Sequence, residues 1–251
     1  MGLLPADSTA RCVVHLVGGP YVSTQGMRQE VPEGSKRLLA FVALRHGRVE
    51  RRHAAGMLWP TGGDGRAAGN LRSSLWRLRG AGIEVLVADK WSLSLAPGVV
   101  VDVDQLCGWA NRLINGAAET ADLQLARGRL DALDLLPGWY DDWAIMERER
   151  IRQRVLHAFE ALSRELSRRG RHADAVEAAM IAIDADPLRE SAHRLLIEVH
   201  LAEGNWVEAQ RRLFAYRTIL REELGVQPSR ELLTWFAARS DNMLSAAATA
   251  T

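Results

Sequence analysis

Cysteine is scarce in this chain: only Cys12 and Cys107 occur in 251 residues, and neither belongs to a CxxC pair. That argues against a disulfide scaffold or a cysteine-based metal site and leaves two reduced, semi-buried thiols as the expectation. No apolar run approaches the roughly 18 residues that a membrane span requires, so no membrane contact is expected. The opening MGLLPADSTARCVV lacks a basic start, an apolar stretch and a small-residue cleavage site, which speaks against a secretory signal and for a cytoplasmic protein. Catalytic patterns are missing too. Gly62-Gly63-Asp64-Gly65 has neither the lysine nor the preceding strand of a phosphate-binding loop. There is no HExxH, His193 and His200 read as packing or surface residues, and no GxSxG marks a nucleophile elbow. No enzyme, cofactor or metal is expected.

What the chain does have is an average globular composition, 47% hydrophobic and 25% charged, enough to fill the cores of two ordinary domains. Its net charge of +1 conceals an uneven distribution. Residues 35–90 hold 11 Lys and Arg against 4 Asp and Glu, so this block carries +7, while residues 1–34 carry −1 and residues 91–251 carry −5. A concentrated cationic block suits a polyanion, because each Lys or Arg placed on a phosphate releases condensed counterions.

Short β-prone pieces open the chain at Cys12–Val17, Tyr21–Val22 and Met27–Val31, divided by Gly18-Gly19-Pro20 and Gly26. They predict a small antiparallel sheet. Ser35 is placed to cap a first helix carrying Leu38, Leu39, Val42 and Ala43, with Gly47 closing it. A second helix is expected over Arg51–Trp59, ending at Pro60 and a glycine-rich loop in which Asp64 can cap the next helix.

The third helix, Arg66–Arg79, is the most informative segment. Ala67, Ala68, Leu71, Leu75 and Leu78 form its apolar stripe, and the opposite face carries Arg66, Asn70, Ser73, Trp76 and Arg77, with Arg72 and Arg79 along one flank. Two alternating runs follow, Ile83–Ala88 and Trp91–Ala96, joined at Asp89-Lys90 as a hairpin. Strands, three helices and a hairpin make a winged helix. Beyond Val103 the chain reads as helical, near 103–115, 119–132, 142–169, 172–185, 189–202, 205–223 and 229–240. Gly170-Arg-His-Ala-Asp-Ala and Gly204-Asn-Trp-Val-Glu-Ala lie 34 residues apart, the period of tetratricopeptide (TPR) repeats. The fold class expected is mainly α with a small β component. The boundaries expected are a frayed end at 1–11, a winged helix-turn-helix at 12–101, a TPR-like helical domain at 102–240 and a disordered tail at 241–251.

KRLLAFVALRHGRVERRHAAGMLWP (36–60), NLRSSLWRLR (70–79), DLLPGWYDDW (134–143), DPLRESAHRLLIEVHLAEGN (186–205) and ILREELGVQPSRELLTWF (219–236) occur in this order. In these segments the chain resembles the SARP-type transcriptional activators, in which a response-regulator-type winged helix precedes a bacterial transcriptional activator domain. The resemblance implies binding to double-stranded promoter DNA, often at direct repeats, and recruitment of RNA polymerase through its sigma or other subunits. It supplies no sensor module and no switch ligand for a chain that ends at residue 251.

Residues can then be given roles. Arg pairs bidentately with guanine and Asn with adenine in the major groove, so Arg66, Asn70, Ser73 and Arg77 are the expected base readers. Arg51, Arg52, Arg72, Arg79 and Lys90 are expected at phosphates, with Trp76 packed against the wing or the sugars. The ordinary alternative for each cation is a solvated surface charge. A homodimer side by side on direct repeats is compatible with this scheme. Two rival functions stay open: a TPR-type protein-interaction adaptor without specific DNA binding, and a hydrolase or transferase using Trp139–Trp143. Those aromatics and Asp141-Asp142 more simply make a turn, a helix cap in Asp142 and a pinned linker.

Overall fold

The structure, a computed structural model, describes residues 12–124 and 134–249, with side chains described as far as Ser240. The frayed end expected at 1–11, most of the helix expected at 119–132 and the side chains of the expected tail at 241–251 therefore lie outside the described residues. The fold is mainly α with a small β component, a winged N-terminal part and a helical C-terminal part, as the sequence implies.

Strands β1 (Cys12–His15), β2 (Tyr21–Thr24) and β3 (Met27–Glu30) form the antiparallel meander that the glycine-divided pieces predict. Helices α1 (Glu33–Ala43), α2 (Arg51–Leu58) and α3 (Gly63–Gly80) follow, with a two-residue strand β4 (Val49–Glu50) before α2. Strands β5 (Leu86–Ala88) and β6 (Ser92–Leu95) are the wing, and β6 also pairs with β4, giving the order β4-β6-β5. Strand β7 (Val99–Val101) then runs parallel to β1 and completes a sheet of order β3-β2-β1-β7. A purely antiparallel sheet was expected. The parallel edge arises because the chain, on leaving the wing, returns alongside its own first strand.

Helix α4 (Asp102–Ile114) packs against β1 and β7. Its first residue explains why. The carboxylate of buried Asp102 accepts hydrogen bonds from the backbone N–H groups of Leu16, Val17 and Val103 at 2.7 to 3.1 Å. Burial pushes this carboxyl up to about 6, even though those three donors favour the ionised form. Further along, the Asp134–Asp141 segment bridges back to the same sheet through Val17 and Leu135, and Trp143 packs edge-on against Phe41 of α1. Two compact units result: residues 1–118 with 124–155, and residues 119–123 with 156–251. Their division falls inside helix α5 (Asp142–Arg168) instead of at 101/102, because α4 and the 134–143 segment complete the core of the first unit.

In the second unit, helices α6 (His172–Ala185), α7 (Glu190–Ala202) and α8 (Trp206–Leu224) match the expected segments closely, whereas α9 (Arg230–Thr249) continues past the expected end at 240 into the stretch expected as a disordered tail. The repeat is physical. Gly170 and Gly204 both adopt positive φ, +72° and +84°, and at each the following residue's N–H returns to a carbonyl five residues back, Arg171 to Leu166 and Asn205 to His200. A residue with a Cβ is strained in that left-handed position, so both helix ends use glycine. The Gly-to-Ala spacing after each then places Ala175 and Ala209, both fully buried, on the inner face of the next helix.

Three expected caps differ. Ser35 lies inside α1 and Pro32 precedes the helix; Asp64 sits in the first turn of α3, after Gly62; Asp141, not Asp142, offers the carbonyl that starts α5. The Ser35 hydroxyl is engaged with the Ser74 carbonyl and the Asp64 carboxylate with Arg52. Gly47 likewise lies beyond the end of α1, which Leu44 terminates.

Candidate nucleic-acid interface

Helix α3 is held in place by its buried side, Ala67, Leu71, Ser74, Leu75 and Leu78. Ser74 was absent from the stripe read off the sequence. It is buried because two serines exchange bonds across α1 and α3: Ser35 Oγ donates to the Ser74 carbonyl at 2.8 Å, and Ser74 Oγ donates to the Gly34 carbonyl at 2.7 Å. This exchange also explains why Ser35 does not cap its own helix. On the other side of α3, Asn70 is half-buried, whereas Arg72, Ser73 and Trp76 are exposed.

The expected base readers stay on the surface of α3 but divide in their surroundings. Arg66 folds back beside the helix start, where a Cβ on Gly62 would come within 2.8 Å of its Cδ. Arg77 lies across the first turn of α1, and a Cβ on Gly34 would meet its Nη1 at 2.5 Å. Only glycine leaves that passage open. Ser73 is exposed. Among the described residues, no carboxylate lies within ion-pairing distance of Arg66, Arg72, Arg77 or Arg79. The arginines of α5 and of the turn that follows it behave differently, as in Arg150–Glu147, Arg169–Glu165 and Arg171–Asp174.

A groove of about 980 Å³ opens beside α3, and the expected phosphate ligands Arg51, Arg52, Arg72 and Lys90 line it together with Trp59 and Trp91. Arg79 and Trp76 are exposed on α3 and are not part of this lining. Within the groove, Arg52 pairs with Asp64 at 3.2 Å, a fully exposed contact of little energetic weight. Lys90 Nζ sits 4.8 Å from the centre of the Trp91 ring. Arg51 points at the wing: its Nη1 donates to the Asp89 carbonyl at 3.0 Å, and its own N–H donates to the Trp91 carbonyl at 2.9 Å.

The wing turn itself is tightly bonded. The Asp89 carboxylate accepts from the N–H groups of Trp91 and Ser92, both at 2.7 Å, and pairs with Arg48. The Ser92 and Trp91 N–H bonds, with Arg48 nearby, hold this carboxyl down to about 2. Sequence reasoning found the hairpin but missed this lock, whose only local signal is an Asp two and three residues before the N–H groups it accepts. It also missed Trp91, an indole 70% exposed on the wing tip.

Comparison with known proteins adds the family. The bacterial transcriptional activator domain family matches residues 112–238, in keeping with the SARP-type resemblance. Among solved structures, Mycobacterium tuberculosis EmbR in complex with a low-affinity phosphopeptide superposes with a TM-score of 0.67 at 19% identity, covering 90% of this chain and 64% of EmbR. The chain thus spans a little under two thirds of that protein, and the likeness is one of fold. No curated protein sequence matches. Among the described residues no helix is long and apolar enough to cross a membrane.

Proposed function

Since the chain belongs to the bacterial transcriptional activator domain family, we propose that it is a sequence-specific DNA-binding transcription activator that acts in the cytoplasm, holds promoter DNA through its winged helix and recruits RNA polymerase. One observation carries the DNA half of this reading: α3 presents four arginines with no carboxylate partner among the described residues, beside a cationic groove shared with α2 and the wing. An α-helix fits the major groove, where arginine and asparagine meet distinct donor and acceptor patterns on each base pair. Arg66, Asn70, Ser73 and Arg77 read bases in this scheme. Arg52, Arg72, Arg79 and Lys90 position the helix on phosphates, and Trp76 packs against sugars. The paired helices of the second unit offer the surface for polymerase, and two copies side by side on direct repeats fit the same geometry.

The test begins with selection of bound sequences from a random duplex pool by the full chain. Titrations on a selected and a scrambled duplex then compare two variants. Arg77→Ala is expected to narrow the gap between the duplexes by about 1 to 3 kcal/mol, the worth of one good base contact. Arg72→Ala is expected to weaken both equally and to lower the slope of log K against log salt by about 0.9. No enrichment from the pool, and no retention of any duplex at low ionic strength, would sink the reading.

A further inference from the structure

The sequence assigns Arg51 to a phosphate, but its bonds run the other way. Both of its donors near the wing are directed at the turn: the guanidinium at the Asp89 carbonyl and the backbone N–H at the Trp91 carbonyl. Helix α2 has no side-chain cap at its start, so the Trp91 carbonyl satisfies an N–H that the helix leaves open. The pairing continues the β4–β6 ladder, in which Val49 faces Leu93 and Glu50 faces Ser92, one residue further to Arg51 and Trp91. From the other side, Arg48 Nε donates to Ser92 Oγ at 3.0 Å and its Nη2 pairs with the Asp89 carboxylate. The turn is thus tied at Asp89, Trp91 and Ser92, while the Trp91 indole is exposed, with Lys90 over its face, in the groove that Arg52 and Arg72 also line.

We infer that Arg51 is a positioning residue for the wing, and that the group it positions is Trp91, which makes the wing's contact with the duplex by packing its indole on the sugar-phosphate wall. This rests on the DNA-binding reading and deepens it. An indole is suited to the task because it offers a large apolar face with little conformational freedom to lose. The short turn carries one cation, Lys90, so the contact depends on where the ring is held more than on charge.

Two measurements on the full chain test it. In the free protein, amide exchange at Trp91 and Ser92 is expected to speed up at least tenfold in Arg51→Met, which keeps the stem and removes the donors. Unchanged exchange would overturn the positioning role whether or not the protein binds DNA. On a pool-selected duplex, Trp91→Ala and Arg51→Met are each expected to lower affinity three- to tenfold without changing the salt slope, and Arg51→Met is expected to cost nothing further in the Trp91→Ala background. Additive losses, with a slope reduced by about one phosphate contact in Arg51→Met, would return Arg51 to the phosphate set. Full affinity in Trp91→Ala would remove the indole from the interface. If Arg72→Ala still lowers the salt slope in that case, DNA binding stands and the wing contact alone has failed.

Discussion

Two buried carboxylates set opposite pH dependences, and both can be followed at the level of one side chain. Asp102 is raised to about 6 by burial, so its folded form takes up a proton more readily than the unfolded chain does. Its contribution therefore grows as pH falls from about 6 and is complete below the ordinary aspartate value. Glu160 is the reverse. Burial opposes its charge, but hydrogen bonds from Arg189 at 2.6 Å and Ser191 at 2.5 Å, with the Arg189 charge, outweigh that and hold its carboxyl below the usual range. Its contribution is present above the ordinary glutamate value and is lost as pH falls through the depressed one. Glu160→Gln should cost about 2 to 4 kcal/mol at neutral pH, since it removes the negative charge that faces the mostly buried Arg189 guanidinium, and the deficit should shrink in acid. Asp102→Asn should remove the gain that wild type shows between pH 6 and 4. Denaturant midpoints measured across that range check both; a Glu160→Gln deficit that is constant with pH would contradict the ion pair. Neither role is legible in the sequence, because Asp102 bonds to partners 85 and 86 residues away and Glu160 to partners 29 and 31 away.

At the scale of elements, the pattern of apolar residues was a good guide and the chemistry of helix ends a poor one. Helix α6 begins and ends where its periodicity says, because a helix with a buried face leaves a 3.6-residue signature that no partner is needed to read. The wing was recoverable for the same reason from alternation. Ser35 misled because a serine before an apolar run fits a cap and a cross-helix bolt equally well, and only the presence of Ser74 opposite decides. Of the outward face read from the sequence, Arg66, Ser73, Trp76 and Arg77 are exposed and Asn70 alone is half-buried, with Arg72 of the flank exposed beside them. The same α1–α3 contact supports a sharper expectation. Gly34→Ala puts a methyl where the Arg77 guanidinium now passes, and that guanidinium is the free end of a flexible chain. The fold should tolerate the change, with stability unchanged or raised by up to about 1 kcal/mol from helix propensity. Arg77 should move, and sequence preference on selected duplexes should change as it does in Arg77→Ala. Unaltered preference would mean that Arg77 reads DNA from another rotamer or not at all.

For the molecule as a whole, the sequence suggests a boundary where the wing ends, and the first unit extends well past it. The reason is that a sheet edge and a helix start are completed by residues that come later: β7 beside β1, Asp102 on the Leu16 and Val17 N–H groups, and the 134–141 segment at Val17. The one marked compositional step, from +7 over residues 35–90 to −5 over 91–251, falls at the wing and not at the end of the first unit. A fragment of residues 12–101 should accordingly be poorly folded, whereas residues 12–155 should unfold cooperatively; circular dichroism melts of the two distinguish them, and a cooperative melt of the shorter piece would show that α4 is dispensable. The Asp102 cage has one more consequence. A reading head cut at the end of the wing would part the Leu16 and Val17 N–H groups from the Asp102 carboxylate and from the helix that carries it, so a junction placed there is expected to weaken the fold. Any chimaera, natural or made in the laboratory, that keeps its specificity should carry the whole stretch through residue 155 as a single inheritance.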